Sequence, residues 1–269
     1  MRRFMKKFIN FFKTQIQKWK KNQFLFEELV KRDFKKRYAR TTLGMLWSIL
    51  SPLSQLLIMR LVFTQLFGRN QPHYTTYLFC GTIVFSFFSE SSREGMTSLV
   101  DNASIFTKIN VPKYLFLFSK NIQCMINFLL ILVVFFFMAL IDGITFSWRM
   151  LSLIYPIVCL VIFNIGTGLV LSALYVFFRD MKYLWSIFLQ LLQYVSAIFY
   201  QVERFPESQQ VYFYANPIYL YIRYFRKVMI DGVIPLPSFH LLMGGEALLV
   251  LILGVLLYRK YNLRFLYYV

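Results

Sequence analysis

The sequence predicts an all-α integral membrane protein with six transmembrane helices, amphipathic helices at its N-terminus, and short outer helices between the fifth and sixth spans. Hydrophobic residues occupy 58% of the 269 positions, and the mean hydropathy is +0.54. They are gathered into long runs, and the runs 128–141 and 150–178 carry no charge. Because about 20 apolar residues cross the hydrocarbon core as a helix, such runs are typical of membrane spans.

Six segments have the composition of spans: 44–67, 76–92, 115–141, 150–177, 184–202 and 238–258. Pro52 and Pro156 lie inside two of them, where we expect kinks that neighbouring helices can tolerate. The segments predict one membrane domain over residues 44–258, followed by a cytosolic tail at 259–269.

The distribution of positive charge predicts the orientation. The chain has 30 Lys and Arg against 12 Asp and Glu, a net charge of +18. Lipid-length apolar runs between the basic segments favour an anionic membrane surface as the partner and not nucleic acid. The segments 1–43, 93–114, 178–183 and 259–269 hold 22 of the 30 basic residues, whereas the intervening outer segments hold six. The positive-inside rule therefore places both termini in the cytosol.

Residues 1–43 are predicted to form amphipathic helices on the cytosolic membrane surface. At 100° per residue, the aromatic residues of 2–21 fall on one arc and eight Lys and Arg on the other, which is typical of an interfacial helix. Packing on a partner protein is the alternative. A second helix covers about 24–40 and carries six basic residues: Lys31, Arg32, Lys35, Lys36, Arg37 and Arg40.

The cytosolic connection 101–113 has the features of a docking element. Polar residues at its start are expected to cap a short helix that Pro112 ends: Asp101, Asn102 or Ser104. Three apolar residues of that helix would then be exposed to a partner: Ile105, Phe106 and Ile109. A plain connection between spans is the alternative.

The outer segment 203–237 is longer than a simple hairpin. Its stretch 218–229 is rich in Tyr, Arg and Lys, and prolines flank it on both sides. This pattern predicts a short helix pair at the outer interface, which can dip into the membrane only where protein shields its backbone.

Polar residues recur at helical spacing inside two spans. The third span has Lys120, Gln123 and Asn127, and the fifth has Gln190 and Gln193. Such stripes face a bundle interior or a water-filled path, and hydrogen bonding between helices is the alternative. Further candidates for lining a path are one charged residue and three aromatic residues: Arg60, Tyr194, Phe199 and Tyr200.

Motifs for catalysis and nucleotide binding are absent from the sequence. It has no phosphate-binding loop, no paired-histidine zinc motif and no nucleophile elbow. Cys80, Cys124 and Cys159 lie in apolar runs without metal-ligand spacing, and His73 and His240 are expected to be structural. We therefore predict no catalytic residues, no metal and no cofactor in this chain.

Five segments occur in a distinctive order: 32–38 followed by Leu43-Gly44, Trp47 and Pro52; 102–113; Phe178-Arg179-Asp180; Ser196-Ala197-Ile198-Phe199-Tyr200; and Asn216-Pro217 followed by Arg223 or Arg226. Together, over about residues 24–262, they resemble the permease subunits of ABC-2-type exporters of cell-surface polysaccharides, the O-antigen, capsule and teichoic acid group. Lys113 stands where that family more often has arginine, and Ala197 where it more often has proline.

The resemblance implies a homodimer in the bacterial cytoplasmic membrane with two separate ABC ATPase subunits, which bind ATP and Mg²⁺. It implies that eight residues couple to the ATPase: Asn102, Ile105, Phe106, Lys108, Pro112, Lys113, Arg179 and Asp180. It places an outer gate at four residues: Asn216, Pro217, Arg223 and Arg226. The six basic residues of the second helix would attract the diphosphate of an undecaprenyl-linked polymer, with bulk anionic lipid as the alternative partner.

The Lys-, Phe-, Ile- and Asn-rich composition suggests a low-GC Gram-positive source, and such a source favours a teichoic acid-like polymer as the cargo. Export of O-antigen or capsular polysaccharide is the second hypothesis, and an ABC-2 drug or lipid exporter is the third. A membrane enzyme acting on lipid-linked sugars is a fourth, and it would need clustered acid–base groups or metal ligands near one interface.

Overall fold

The computed structural model describes residues 22–37, 43–63 and 72–268, without the side chains of Met45, Leu56, Met59, Arg60 and Phe63. All regular structure in these residues is helical. The interfacial helix predicted at 2–21 lies outside the described residues, as do Arg40 and the side chain of Arg60.

The α-helices in the described part of the chain are α1 (22–37), α2 (Trp47–Phe63), α3 (Tyr74–Asp101), α4 (Ala103–Phe106), α5 (Tyr114–Ile141), α6 (Ile154–Phe177), α7 (Met181–Val195), α8 (Glu207–Tyr214), α9 (Pro217–Met229), α10 (Pro237–Tyr261) and α11 (Phe265–Tyr268). Short 3₁₀ helices at Gly44–Leu46, Trp148–Leu153 and Val202–Arg204 precede α2, α6 and α8.

Three helical segments are long and apolar enough to cross a membrane: α5, the segment Trp148–Phe177, and α10, with mean hydropathies of 2.9, 2.4 and 2.3. At 1.5 Å per residue, even α10 with 25 residues is about 37 Å long, against about 30 Å of hydrocarbon. In its described residues the chain is therefore all-helical, with three candidate membrane spans. The full set of six spans stays a prediction, since α2 and α7 have 17 and 15 residues and α3 is more polar.

Two helix ends differ from the predicted span limits, and Pro156 does not lie in a helix interior. Helix α7 ends at Val195, before the predicted limit at 202, and α3 continues nine residues beyond the span limit predicted at 92, to Asp101. Pro156 lies in the first turn of α6, where backbone N–H groups have no intrahelical acceptor, so its missing N–H costs no helix bond.

Helix α3 is central to the fold. It packs against α5, α6 and α9, while α6 also packs along α10. The largest apolar cluster fills the space between these helices, and a second cluster under α4 includes Leu99, Phe106 and Phe116. A Cβ on Gly95 would lie 3.1 Å from the Gly168 Cα, so the absence of a side chain there permits the close approach of α3 and α6.

Side-chain hydrogen bonds bring the four basic segments together at one end of the molecule: Arg32 to Asn102 (2.7 Å), Lys113 to Asn262 (3.3 Å) and Arg179 to the Tyr268 carbonyl (3.3 Å). We call this the basic end. Other contacts join the loops at the opposite end: His73 with the Asp142 carbonyl (2.8 Å) and Arg149 with the Gly232 carbonyl (2.8 Å). The two groups match those separated by the charge count.

Candidate functional site

A cleft of about 520 Å³ lies between α1, α2, α3, α5 and α7, and we call it the polar cleft. Hydroxyl and amide side chains line much of its wall: Ser48, Ser51, Gln55, Thr82, Ser86, Ser89, Asn127 and Gln193. Two carboxylates and two guanidinium groups complete the polar part of the wall: Glu90, Glu94, Arg37 and Arg93. Since hydroxyls and amides both donate and accept hydrogen bonds, this wall suits a polyhydroxylated ligand better than an apolar one.

Sequence reasoning missed the contribution of α3 to this wall. Thr82, Ser86, Ser89, Glu90 and Arg93 follow one another at i, i+4, i+7, i+8 and i+11, so they share one face of the helix. The available signal was this polar stripe, with a carboxylate inside a segment otherwise apolar enough to be taken for a span.

Only some residues of the predicted polar stripes in the third and fifth spans line the polar cleft. Asn127 and Gln193 line the polar cleft, as expected of path residues. Lys120 is ion-paired and Gln123 is buried, with its Oε1 lacking a hydrogen-bond partner among the described residues. The other predicted lining residues lie elsewhere on the molecule: Gln190 and Tyr194 exposed on α7, Phe199 buried, and Tyr200 half-buried.

Ion pairs connect α1 and α5 to the carboxylates of α3. The Arg37 guanidinium donates to Glu90, whose other oxygen accepts from the Asn127 amide at 3.0 Å. One turn further along α3, Glu94 accepts from the Lys120 ammonium at 2.8 Å. The side chain of Lys120 is only 11% exposed, so the pair neutralises a largely buried charge.

A second network fastens α1 to the start of α4. Arg32 donates to the Asp33 carboxylate at 2.7 Å and to the Asn102 side-chain oxygen at 2.7 Å. The Asp33 side chain is 1% exposed, and its second oxygen accepts from the Ser119 hydroxyl at 3.2 Å. Helix α1 is thus joined both to α5 and to the connection predicted to dock a partner.

The predicted diphosphate surface on α1 is therefore smaller than expected. Arg32 and Arg37 already have internal carboxylate partners, whereas Lys35 and Lys36 are exposed. Lys31 is exposed too, and its hydrogen bond and charge attraction to Glu28 raise the pKa of its ammonium.

The predicted docking helix differs from its expected form. Helix α4 ends at Phe106 and not at Pro112, and Asn102 occupies the N-cap position without a side-chain capping bond. Phe106 is 4% exposed and packs on Phe116, so the prediction that it is exposed to a partner is wrong. Lys113 is also buried: its ammonium donates to Asn262, and burial lowers its pKa.

Other predicted coupling residues are accessible at the basic end. Lys108 is exposed, and Ile105 and Pro112 are half-buried. Arg179 and Asp180 are exposed in the turn before α7, where the Arg179 guanidinium lies over the Tyr175 ring at 5.4 Å.

The segment 203–237 contains two short α-helices, α8 and α9. The Asn216 side chain caps α9 by accepting from the Ile218 N–H at 3.0 Å, and Pro217 occupies the first turn. Most of α9 is buried, so it is a core helix and not a surface one. Arg223 donates to the Tyr214 hydroxyl, while Arg226 is buried among backbone carbonyls.

Comparison with known proteins assigns these features to a family. The chain is 27% identical over 251 residues to the O-antigen export system permease protein RfbA of Klebsiella pneumoniae, covering 90% of this chain and 95% of that protein. RfbA of Myxococcus xanthus is 28% identical over 65% of this chain and 68% of its own length. The polysialic acid transport protein KpsM of Escherichia coli is 24% identical over 87% and 92%. The sequence model of the ABC-2 type transporter family matches residues 25–230, and the chain therefore belongs to that family.

Proposed function

We propose that this chain is the permease subunit of an ATP-driven exporter that moves a lipid-linked polysaccharide across the bacterial cytoplasmic membrane. The observation that carries the proposal is the polar cleft, whose hydroxyl and amide groups match the hydroxyls of sugars. The names of the relatives support a polysaccharide as cargo. A drug or lipid exporter would be better served by a more apolar wall.

The proposal includes six spans, with α2, α3 and α7 joining the three long apolar segments, and both termini in the cytosol. It includes a homodimer and two separate ATPase subunits that bind ATP and Mg²⁺, since the sequence contains no phosphate-binding loop. The basic end would then face the ATPase subunits, and the exposed lysines of α1 would face the lipid diphosphate.

The identity of the exported polymer is the most specific part of the proposal. Composition favours a teichoic acid-like polymer, and the family resemblance implies undecaprenyl diphosphate as its carrier, whereas the names of the relatives favour O-antigen or polysialic acid. Depletion of the chain in its native cell should make the lipid-linked polymer accumulate on the cytosolic face of the membrane. Phosphate-rich polymer there would support the first candidate, and phosphate-free glycan the second. Unchanged polymer distribution would contradict the proposed cargo.

Reversing the charge of Lys108 should uncouple the permease from its ATPase. Lys108 is exposed at the basic end, so Lys108→Glu would repel an acidic partner surface without disturbing the core. We expect ATP hydrolysis by the purified complex to fall about tenfold, because a lost interfacial charge contact is worth about 1–2 kcal/mol.

The matched control is Arg204→Glu, the same charge reversal on an exposed residue near the opposite end. It should leave hydrolysis at the wild-type rate. Equal loss in both variants would point to a general charge effect. Failure of the chain to co-purify with any nucleotide-binding protein would contradict the exporter proposal itself.

A further inference from the structure

The end of α7 is set by something other than its own sequence. Apolar residues continue beyond Val195, yet 196–200 are not helical, and Ala197 has φ +51° in the left-handed region. Ser196, Ala197, Ile198 and Phe199 are buried. A buried non-helical backbone needs hydrogen-bond partners for its carbonyls, because water does not supply them there.

Side chains from α3 and α9 supply a donor to each of four consecutive carbonyls. Arg226 donates through Nη1 to Ala197 at 2.9 Å and through Nη2 to Ile198 at 2.8 Å. The remaining two bonds come from tyrosine hydroxyls: Tyr74 to Phe199 at 3.0 Å and Tyr77 to Tyr200 at 2.6 Å. The unwound backbone is therefore fixed by long-range contacts, in the place where proline would otherwise break the helix.

Arg226 is suited to this role by both its charge and its shape. It is 8% exposed, and within the described residues it has no carboxylate partner. The carbonyl dipoles and the Tyr77 ring, 3.4 Å from its guanidinium carbon, stabilise the charge instead. A planar guanidinium can reach two adjacent carbonyls at once, which a lysine ammonium on a flexible stem does less well.

The segment 196–200 adjoins two cavities. Ile198 lines the polar cleft, whereas Tyr77 and Arg226 line a second cleft of about 150 Å³ together with residues 201–203. Along the chain, the segment therefore joins the wall of one cavity to the wall of the other.

We propose that Arg226, assisted by Tyr74 and Tyr77, is a positioning residue that holds 196–200 as a closed partition between the two cavities. This inference rests on the proposed export function. In the resting state the three side chains keep the path sealed, and export requires their bonds to the carbonyls to break. Without these bonds the path leaks.

The test measures passive leakage in the absence of ATP and of any polysaccharide. The purified complex is reconstituted in vesicles that contain a small hydrophilic dye. Wild type should retain the dye, and Arg226→Met should release it about tenfold faster or more, since two charge-assisted hydrogen bonds are lost. The matched control is Lys227→Met, which removes one positive charge from the same helix and the same second cleft but no bond to the carbonyls. It should stay sealed.

A second variant covers the case in which Arg226→Met does not fold. The double change Tyr74→Phe and Tyr77→Phe removes two hydroxyls and no ring, and it should also leak. Dye retention by Arg226→Met or, if that variant does not fold, by the tyrosine pair would overturn the partition role, as would equal leakage from Lys227→Met. If Arg226→Met leaks but the wild-type complex exports no polysaccharide, the role of Arg226 as a seal would stand and the proposed function would be refuted.

Discussion

Replacing Gly166 with alanine is expected to separate α6 from α10 and to remove most of the folded protein from the membrane. A Cβ at this position would lie 2.6 Å from the Leu251 backbone nitrogen and 2.7 Å from the Val250 carbonyl carbon. Both atoms belong to the backbone of α10, so no side chain can rotate away. Overpacking of this kind costs about 1–3 kcal/mol, and more where backbone must move. The yield in membranes and the unfolding temperature in detergent measure the effect.

Helix α10 also contains a control of equal chemistry, outside its contact with α6. Gly245 lies on α10 as well, but a Cβ there would meet no atom within 4 Å. Gly245→Ala should therefore match wild type or exceed it slightly, because alanine favours helix by about 1 kcal/mol. If Gly166→Ala were as stable as Gly245→Ala, α6 and α10 would have to lie further apart than described.

Local sequence signals were enough to predict the apolar helices. The uncharged runs that became α5 and α6 have no competing structure that satisfies their backbone in lipid, so their position follows from length and composition. The alternation of basic and less basic connections was sufficient to group the loops into two ends. Both signals are contained in single stretches of chain.

The remaining features depend on contacts between distant residues. Helix α7 ends at Val195 because Arg226 and Tyr77, from other helices, bind the carbonyls that follow it. Lys120 was predicted to line a path, but Glu94 on α3 pairs with it. Phe106 looked like an exposed anchor, yet its neighbour Phe116 buries it. No local pattern contains these partners.

Replacing Arg32 with leucine is expected to destabilise the attachment of α1 and to abolish coupled ATP hydrolysis. The Asp33 side chain is 1% exposed, and without Arg32 its carboxylate would keep one hydrogen bond, from the Ser119 hydroxyl, and the weaker attraction of the Lys120 ammonium, which is already paired with Glu94. Breaking a buried ion pair by removing one member costs about 3–5 kcal/mol, and the 41% exposure of the Arg32 side chain lowers this to about 2–3 kcal/mol. Thermal unfolding and ATPase activity of the complex are the two measurements.

The double variant Arg32→Leu with Asp33→Asn separates stability from coupling. Because the cost of Arg32→Leu comes mainly from a stranded charge, neutralising Asp33 should recover most of the lost stability. It cannot recover the hydrogen bond from Arg32 to Asn102, which joins α1 to the start of α4. ATP hydrolysis should therefore stay low although the unfolding temperature returns towards wild type. If hydrolysis returned as well, α1 would act only as a structural support and the contact with Asn102 would carry no coupling. If stability did not return, the buried carboxylate would not be the cause of the defect.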